Sequence, residues 1–98
     1  MTRVRFLPAA ELELLREVAY YSKAHAGTGI RFQAAVEAAV MRVVHHPLGG
    51  AASFRNTRSV LVKGFPISIV YRLSKTEVLI VALAAHRKRP QYWLGRIN

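Results

Sequence analysis

The chain opens with a short alternation of polar and apolar residues, Thr-Arg-Val-Arg-Phe-Leu at positions 2–7. Thr2, Val4 and Phe6 fall on one side of an extended segment, and the two arginines fall on the other. This alternation predicts a half-buried β-strand. Pro8 follows directly, and proline suits the first turn of a helix, where its missing N–H costs nothing.

Apolar residues recur at helical spacing through most of the next forty positions. The first helix is predicted to bury the stripe Leu12, Leu14, Leu15, Val18, Ala19 and Tyr21. The second is predicted to begin at Thr28-Gly29 and to bury Phe32, Ala35, Val36, Ala39, Val40 and Val43. Gly27 is expected to cap the first helix in a left-handed conformation, and Pro47 to end the second. Because the alanines permit close approach, we expect an antiparallel helix hairpin.

The pattern changes to strand spacing after residues 48–52, which are predicted to form a flexible loop. Three strands are expected at 58–62, 67–73 and 78–84, with Ile67, Ile69, Tyr71 and Leu73 on one face of the middle one. The last is apolar on both faces, which is typical of a central strand. The 98 residues are therefore expected to form one α+β domain with a strand, a helix hairpin, a three-stranded antiparallel meander and a short C-terminal tail.

Composition narrows the class of protein. The chain is 52% hydrophobic and 20% charged, which indicates a globular protein, and it has no cysteine for a disulfide, a thiolate nucleophile or a Cys-based zinc site. Its longest apolar run, residues 78–85, is far shorter than the roughly 20 residues of a membrane-spanning helix, and the N-terminus lacks a signal peptide. We expect a soluble cytoplasmic protein without membrane association.

The net charge of +10 is unevenly placed. Residues 50–98 hold nine basic residues and one glutamate, whereas residues 1–49 hold six and four. The positive electrostatic field of residues 50–98 would attract nucleic acid or an acidic protein. The alternative is that the basic surface only aids solubility.

The residues show no standard enzyme motif. A phosphate-binding loop and paired carboxylates are missing, aspartate does not occur, and His45-His46 fits an exposed helix end better than a metal site. Neither a metal nor a cofactor is expected. The candidate functional residues are Arg58, Arg72, His86, Arg87, Arg89 and Tyr92.

These six residues are expected to converge on an open face of the sheet. There, His86 or Tyr92 would move a proton while the arginines stabilise a phosphorane, so that RNA could be cleaved without a metal. The alternative is that the arginines are solvated strand residues and that Tyr92-Trp93 seals the end of the sheet.

Several segments together resemble the RelE/ParE superfamily of toxins from bacterial type II toxin–antitoxin systems, and the ParE-like branch in particular. They are Val4-Arg5-Phe6 with Ala9-Ala10 and Leu12, residues 31–43, Pro47, Arg58, residues 65–72, residues 78–84, His86 to Pro90 and Tyr92-Trp93. The similarity covers nearly the whole chain.

The resemblance implies a helix hairpin packed on a small sheet and a hetero-oligomer with a cognate antitoxin, ParD-like or similar. It further implies inhibition of DNA gyrase and a block of replication, and the tail Arg-Pro-Gln-Tyr-Trp favours this ParE-like activity. The RelE-like alternative is ribosome-dependent cleavage of mRNA by the six candidate residues. A toxin that only binds its antitoxin is the third possibility. The surface expected to meet the target or the antitoxin consists of Arg58, Arg72, His86, Arg87, Arg89 and Trp93.

Overall fold

The helices and strands follow the predicted order, with one additional short strand. The computed structural model describes residues 2–98. Its elements are β1 (Arg3–Phe6), α1 (Pro8–Ala24), α2 (Thr28–His45), β2 (Ala51–Ala52), β3 (Thr57–Leu61), β4 (Ile67–Leu73) and β5 (Glu77–Ala85). A short 3-10 helix at Leu94–Arg96 lies in the tail.

The strands form one mixed sheet in the order β1-β5-β4-β3-β2. Strands β3, β4 and β5 make the predicted antiparallel meander, while β1 pairs with β5 in parallel, which the sequence did not predict. The apolar strand β5 is central, as its two apolar faces predict. The α+β class is confirmed.

The main core lies between the helix pair and one face of the sheet. Helix α2 contributes the predicted buried positions, Phe32, Val36, Ala39 and Val43 among them, and β4 contributes Ile67, Ile69 and Tyr71. At one end of this core the rings of Tyr21, Phe32 and Phe65 pack together, with centroids 4.9 to 5.0 Å apart. The prediction for α2 and for the inner face of β4 is confirmed.

Helix α1 buries only part of the predicted stripe. Leu14, Val18 and Tyr21 pack against the core as predicted. Leu12 and Leu15 are 46% and 59% exposed, whereas Glu13 and Glu17 are buried. The prediction was wrong for Leu12 and Leu15 because the partners that allow the two carboxylates to be buried come from the other end of the chain.

Four further local predictions require correction. The first strand is less buried than its alternation suggests, since β1 is a short edge strand on which Val4 is exposed. Gly27 is left-handed, with a φ of 80°, but α1 is capped earlier by His25, and Gly27 instead precedes α2 in a tight connection. Residues 48–52 are anchored rather than flexible, because Ala51–Ala52 pairs with β3 and Gly50 N–H donates to the buried Tyr71 Oη over 3.1 Å. Strand β3 also begins and ends one residue earlier than predicted.

The second face of the sheet is covered by the tail. Trp93 is only 4% exposed and packs with Val70, Val81 and Ala82. The prediction that the tail folds back against the sheet is confirmed, and a central strand with two apolar faces requires such a cover. Within residues 2–98, neither helix is long and apolar enough to cross a membrane.

Candidate functional site

The register of the sheet separates the two strand arginines. Arg58 lies opposite Tyr71 and therefore on the helix side, where its guanidinium donates to the carbonyls of Leu48 (3.2 Å) and Gly50 (2.9 Å). Arg72 lies opposite Thr57, on the other face. The expectation that Arg58 and Arg72 converge was wrong, because the side chains of the paired strands place them on opposite sides of the sheet.

Arg72 is also distant from His86, the first residue after β5. Its guanidinium donates to the carbonyls of Arg55 (2.7 Å) and Asn98 (2.8 Å). His86, in contrast, lies at the other end of β4, with Nε2 2.9 Å from Ser68 Oγ. Four residues of strand separate Ser68 from Arg72, or about 13 Å. The second sheet face is moreover closed by the tail, so the predicted open catalytic face does not form.

The segment His86-Arg87-Lys88-Arg89, which we call the basic turn, is exposed throughout. Its first N–H donates to Pro66 O over 2.8 Å, which holds it beside the turn between β3 and β4. Arg87 pairs with Glu17 over 3.2 Å, yet its side chain remains 65% exposed. The Arg89 guanidinium has no hydrogen-bond partner among residues 2–98, and only its carbonyl is bound, by the Tyr92 N–H over 3.3 Å. A hollow of about 280 Å³ lies between the basic turn, Ser68 and the buried Trp93.

Glu13 links the tail to the outer edge of β5. Strand β1 ends opposite Ile80, so beyond that point the β5 backbone needs other partners on this edge. The Glu13 carboxylate accepts the Leu83 N–H (3.1 Å), and Arg96 donates to Val81 O (3.0 Å). Tyr92 Oη lies 3.3 Å from Leu83 O, although its one proton is directed mainly at Glu13. The helix and the tail therefore take the place along β5 that β1 leaves empty.

The same carboxylate is held by the charges of the tail. Arg96 donates to both Glu13 oxygens over 2.9 and 3.0 Å, Tyr92 Oη donates to Oε2, and Lys88 Nζ lies 3.5 Å away. Burial is the largest single influence and raises the pKa of Glu13. The hydrogen bonds from Arg96 and Tyr92, with the charge of Arg96 and the Leu83 N–H, outweigh it and lower the pKa overall. Burial, followed by the Glu13 hydrogen bond and charge, raises the pKa of Tyr92 far above its ordinary value.

These contacts change the interpretation of the predicted residues. Tyr92 is a protonated anchor of the tail, and Trp93 is a core residue; only His86, Arg87 and Arg89 share one exposed surface. Sequence reasoning missed Glu13 and Arg96, whose positions are separated by 83 residues, so no local spacing could have indicated their pairing. The exposed His45 and His46 belong to no group of three metal-ligating side chains in the described part of the chain.

Comparisons with known proteins agree with this fold. Residues 4–90 match the family described as "ParE toxin of type II toxin-antitoxin system, parDE". A chain of the solved structure titled "Chromosomal ParDE TA system from P. aeruginosa" superposes with a TM-score of 0.72 at 16% identity, covering 87% of this chain and 96% of that one. A comparison with curated protein sequences finds no significant match. The structural likeness establishes the fold, and the family match spans most of the sequence: the chain belongs to the ParE toxin family of type II toxin–antitoxin systems.

Proposed function

We propose that this ParE-family toxin inhibits DNA gyrase, blocks replication and is neutralised by a cognate antitoxin that binds it as a hetero-oligomer. The proposal rests on the family match and on one observation above all, the dispersal of the residues that RNA cleavage would need. An inhibitor that acts by binding requires no assembled acid–base pair.

The dispersal argues against an endoribonuclease in the following way. Cleavage by a 2′-hydroxyl needs a base, an acid and cationic groups around a single phosphate. Arg58 and Arg72 lie on opposite faces of the sheet, and the Tyr92 hydroxyl is bound to Glu13. Of the six candidates, His86, Arg89 and Tyr92 line the hollow, and Lys88 adds a second cation. Because the Tyr92 hydroxyl is bound to Glu13, ribosome-dependent cleavage remains the second candidate and would depend on His86 as the one free titratable group.

An antitoxin has two features of this surface to recognise. A groove of about 470 Å³ runs beside α1, α2 and β1 and is lined mainly by Phe6, Leu14, Val36, Val40 and Met41. Glu37 also lines the groove, and most of the basic residues behind the chain's net charge of +10 lie outside it, in residues 50–98. An amphipathic, acidic segment complements both features, because its apolar side fills the groove and its carboxylates meet the basic surface.

The direct test is a supercoiling assay with purified gyrase and relaxed plasmid. Micromolar toxin is expected to inhibit supercoiling and to stabilise gyrase–DNA cleavage complexes, and prior addition of the antitoxin should abolish both effects. Gyrase that works normally at that concentration would contradict the proposal.

The second candidate is tested in cells that express the toxin without its antitoxin. Gyrase inhibition predicts that DNA synthesis stops before protein synthesis. The endoribonuclease predicts new mRNA 5′ ends at the ribosomal A site, which His86→Ala should abolish. His86→Ala that still produces those ends would remove the proposed catalytic group.

A further inference from the structure

One end of the sheet gathers basic residues from three separate segments. The basic turn lies against the turn at 62–66 through the His86–Pro66 hydrogen bond of 2.8 Å. The ring of Phe65 in that second turn packs on Tyr21 at 4.9 Å, which brings the last turn of α1 to the same end. We call this surface the cationic end, and its members are Lys23, Lys63, His86, Arg87, Lys88 and Arg89.

Two members of the cationic end have carboxylate partners, since Arg87 pairs with Glu17 over 3.2 Å and Lys88 Nζ lies 3.5 Å from Glu13. The other cations, Lys23, Lys63 and Arg89, form no ion pair among residues 2–98. Residues 18–32, 62–66 and 86–98 contain no acidic residue. Glu13 and Glu17, the acids nearest to the basic turn, are only 6% and 7% exposed. Glu77 begins β5, at the end of that strand opposite to His86. The cationic end is therefore positive over its solvent-facing side.

The chemistry of this end suits phosphate better than a protein partner. Residues 86–91 expose no large hydrophobic side chain. Leu61, which is 49% exposed and lies opposite Ser68, is by itself too small a patch for the apolar centre that protein interfaces have. Guanidinium and ammonium groups are the usual ligands of phosphate oxygens. The neighbouring hollow adds the Ser68 hydroxyl and the His86 ring, 2.9 Å apart, beside the unpartnered Arg89.

We infer that the cationic end binds the backbone of duplex DNA directly, with one phosphate seated beside Ser68, His86 and Arg89. The choice of duplex DNA over other polyanions rests on the proposed function, because gyrase, the proposed target, holds duplex DNA. The toxin then contacts the DNA that gyrase holds as well as the enzyme.

The test is fluorescence anisotropy of a labelled 20-base-pair duplex with toxin alone, between 50 and 200 mM salt. Lys63→Ala/Arg89→Ala should lose about tenfold in affinity, and its salt slope should fall by about 2, since each phosphate contact contributes roughly 0.9. The matched control is Arg3→Ala/Lys75→Ala, which removes the same charge from exposed residues at the other end of the sheet. It should lose less than about threefold, with an unchanged slope. Equal losses in the two variants would refute a localised site.

The phosphate seat has its own variant. Ser68→Ala removes a neutral donor, so affinity should fall about fivefold at an unchanged salt slope. An unchanged affinity would overturn the seat. Far-UV circular dichroism confirms that each variant is folded.

The same titrations with a 20-nucleotide single-stranded RNA and with polyglutamate distinguish other polyanions. Tighter, variant-sensitive binding of RNA, or variant-sensitive binding of polyglutamate alone, would overturn the assignment to DNA. These titrations contain no gyrase, so they test DNA binding independently of gyrase inhibition. A toxin that binds duplex DNA but leaves supercoiling intact contradicts only gyrase inhibition, and inhibition by a toxin without affinity for DNA contradicts only this inference.

Discussion

Replacement of Glu13 by glutamine tests the anchor that holds the tail. Glu13→Gln keeps the size of the side chain but removes its charge and one acceptor oxygen. Its amide NH2 would then face Arg96 and Tyr92, which both donate to the carboxylate. Arg96, whose side chain is 22% exposed, would lose its ionic partner.

The expected loss of stability is about 3 kcal/mol, since removal of one member of a buried ion pair costs roughly 3–5 kcal/mol and the exposure of Arg96 reduces that figure. A domain of this size has a total unfolding free energy of about 5–15 kcal/mol, so the variant should still fold. Its melting temperature should fall by more than about 10 °C, because each kcal/mol corresponds to roughly 4–8 °C.

Urea denaturation followed by two signals is the appropriate assay. Trp93 is the only tryptophan and lies in the tail, so its fluorescence reports tail docking, while far-UV circular dichroism reports the helices. In the wild type the two transitions should coincide, and in Glu13→Gln the fluorescence transition should come first. The control is Glu11→Gln, an exposed acid in the same helix, which should change stability by less than about 1 kcal/mol. Equal effects of the two substitutions would refute the reasoning.

The pH dependence provides an independent check. The pKa of Glu13 is lowered in the folded chain, so its contribution is complete above the pKa of an unfolded glutamate, about 4.3, and is lost as the pH falls through the lower folded value. The stability difference between the wild type and Glu13→Gln should therefore be constant near neutral pH and shrink in acid. A difference that grows as the pH falls would contradict the assigned direction.

Three further substitutions test the packing of the fold, each by the urea midpoint. Gly29→Ala should cost about 1–3 kcal/mol, because a Cβ at this position would overlap Ser22 of α1; Gly95→Ala, which meets open space, is the control, and an equal effect would contradict the argument. Tyr71→Phe should cost about 1–3 kcal/mol by leaving the buried Gly50 N–H and the part-buried Pro47 carbonyl without their partner, and a neutral result would exclude a role in anchoring that loop. Asn56→Gly should add about 0.5 kcal/mol, since Asn56 has a φ of 59° in a left-handed turn, and a loss would indicate that its side chain contributes there.

The sequence predicted those features of the fold whose causes are local. The spacing of Phe32, Val36 and Val43 and the alternation in residues 67–73 each reflect one buried face, and both were correct. Leu12 and Leu15 of helix α1 were wrongly assigned to the buried stripe because helical periodicity treats Glu13 as a solvent residue. Its true environment depends on where β1 ends and on a tail more than 70 residues away. Contacts between residues so far apart leave no periodic pattern in the sequence that could reveal them.

The candidate site shows the same limit at the level of strand register. Alternation correctly placed Arg72 opposite the apolar face of β4, but it could not give the register of β3 against β4. The pairing of Arg58 with Tyr71 puts that arginine on the helix side. A shift of one residue would have reversed this result. The exposed position of the basic turn was predicted correctly because the turn directly follows the last strand in sequence, while its functional role stays a prediction.

The tail combines two tasks, and this combination determines how its mutations should be interpreted. Tyr92, Trp93 and Arg96 point inward and hold the segment against β5 and the second sheet face, while Arg87 and Arg89 point outward only a few residues earlier. Loss of an inward anchor therefore displaces the outward cations as well. A Tyr92 or Arg96 variant that abolishes toxicity identifies a target contact only if Trp93 fluorescence shows the tail still docked. Arg89→Ala, which removes no internal hydrogen bond, separates the two tasks directly.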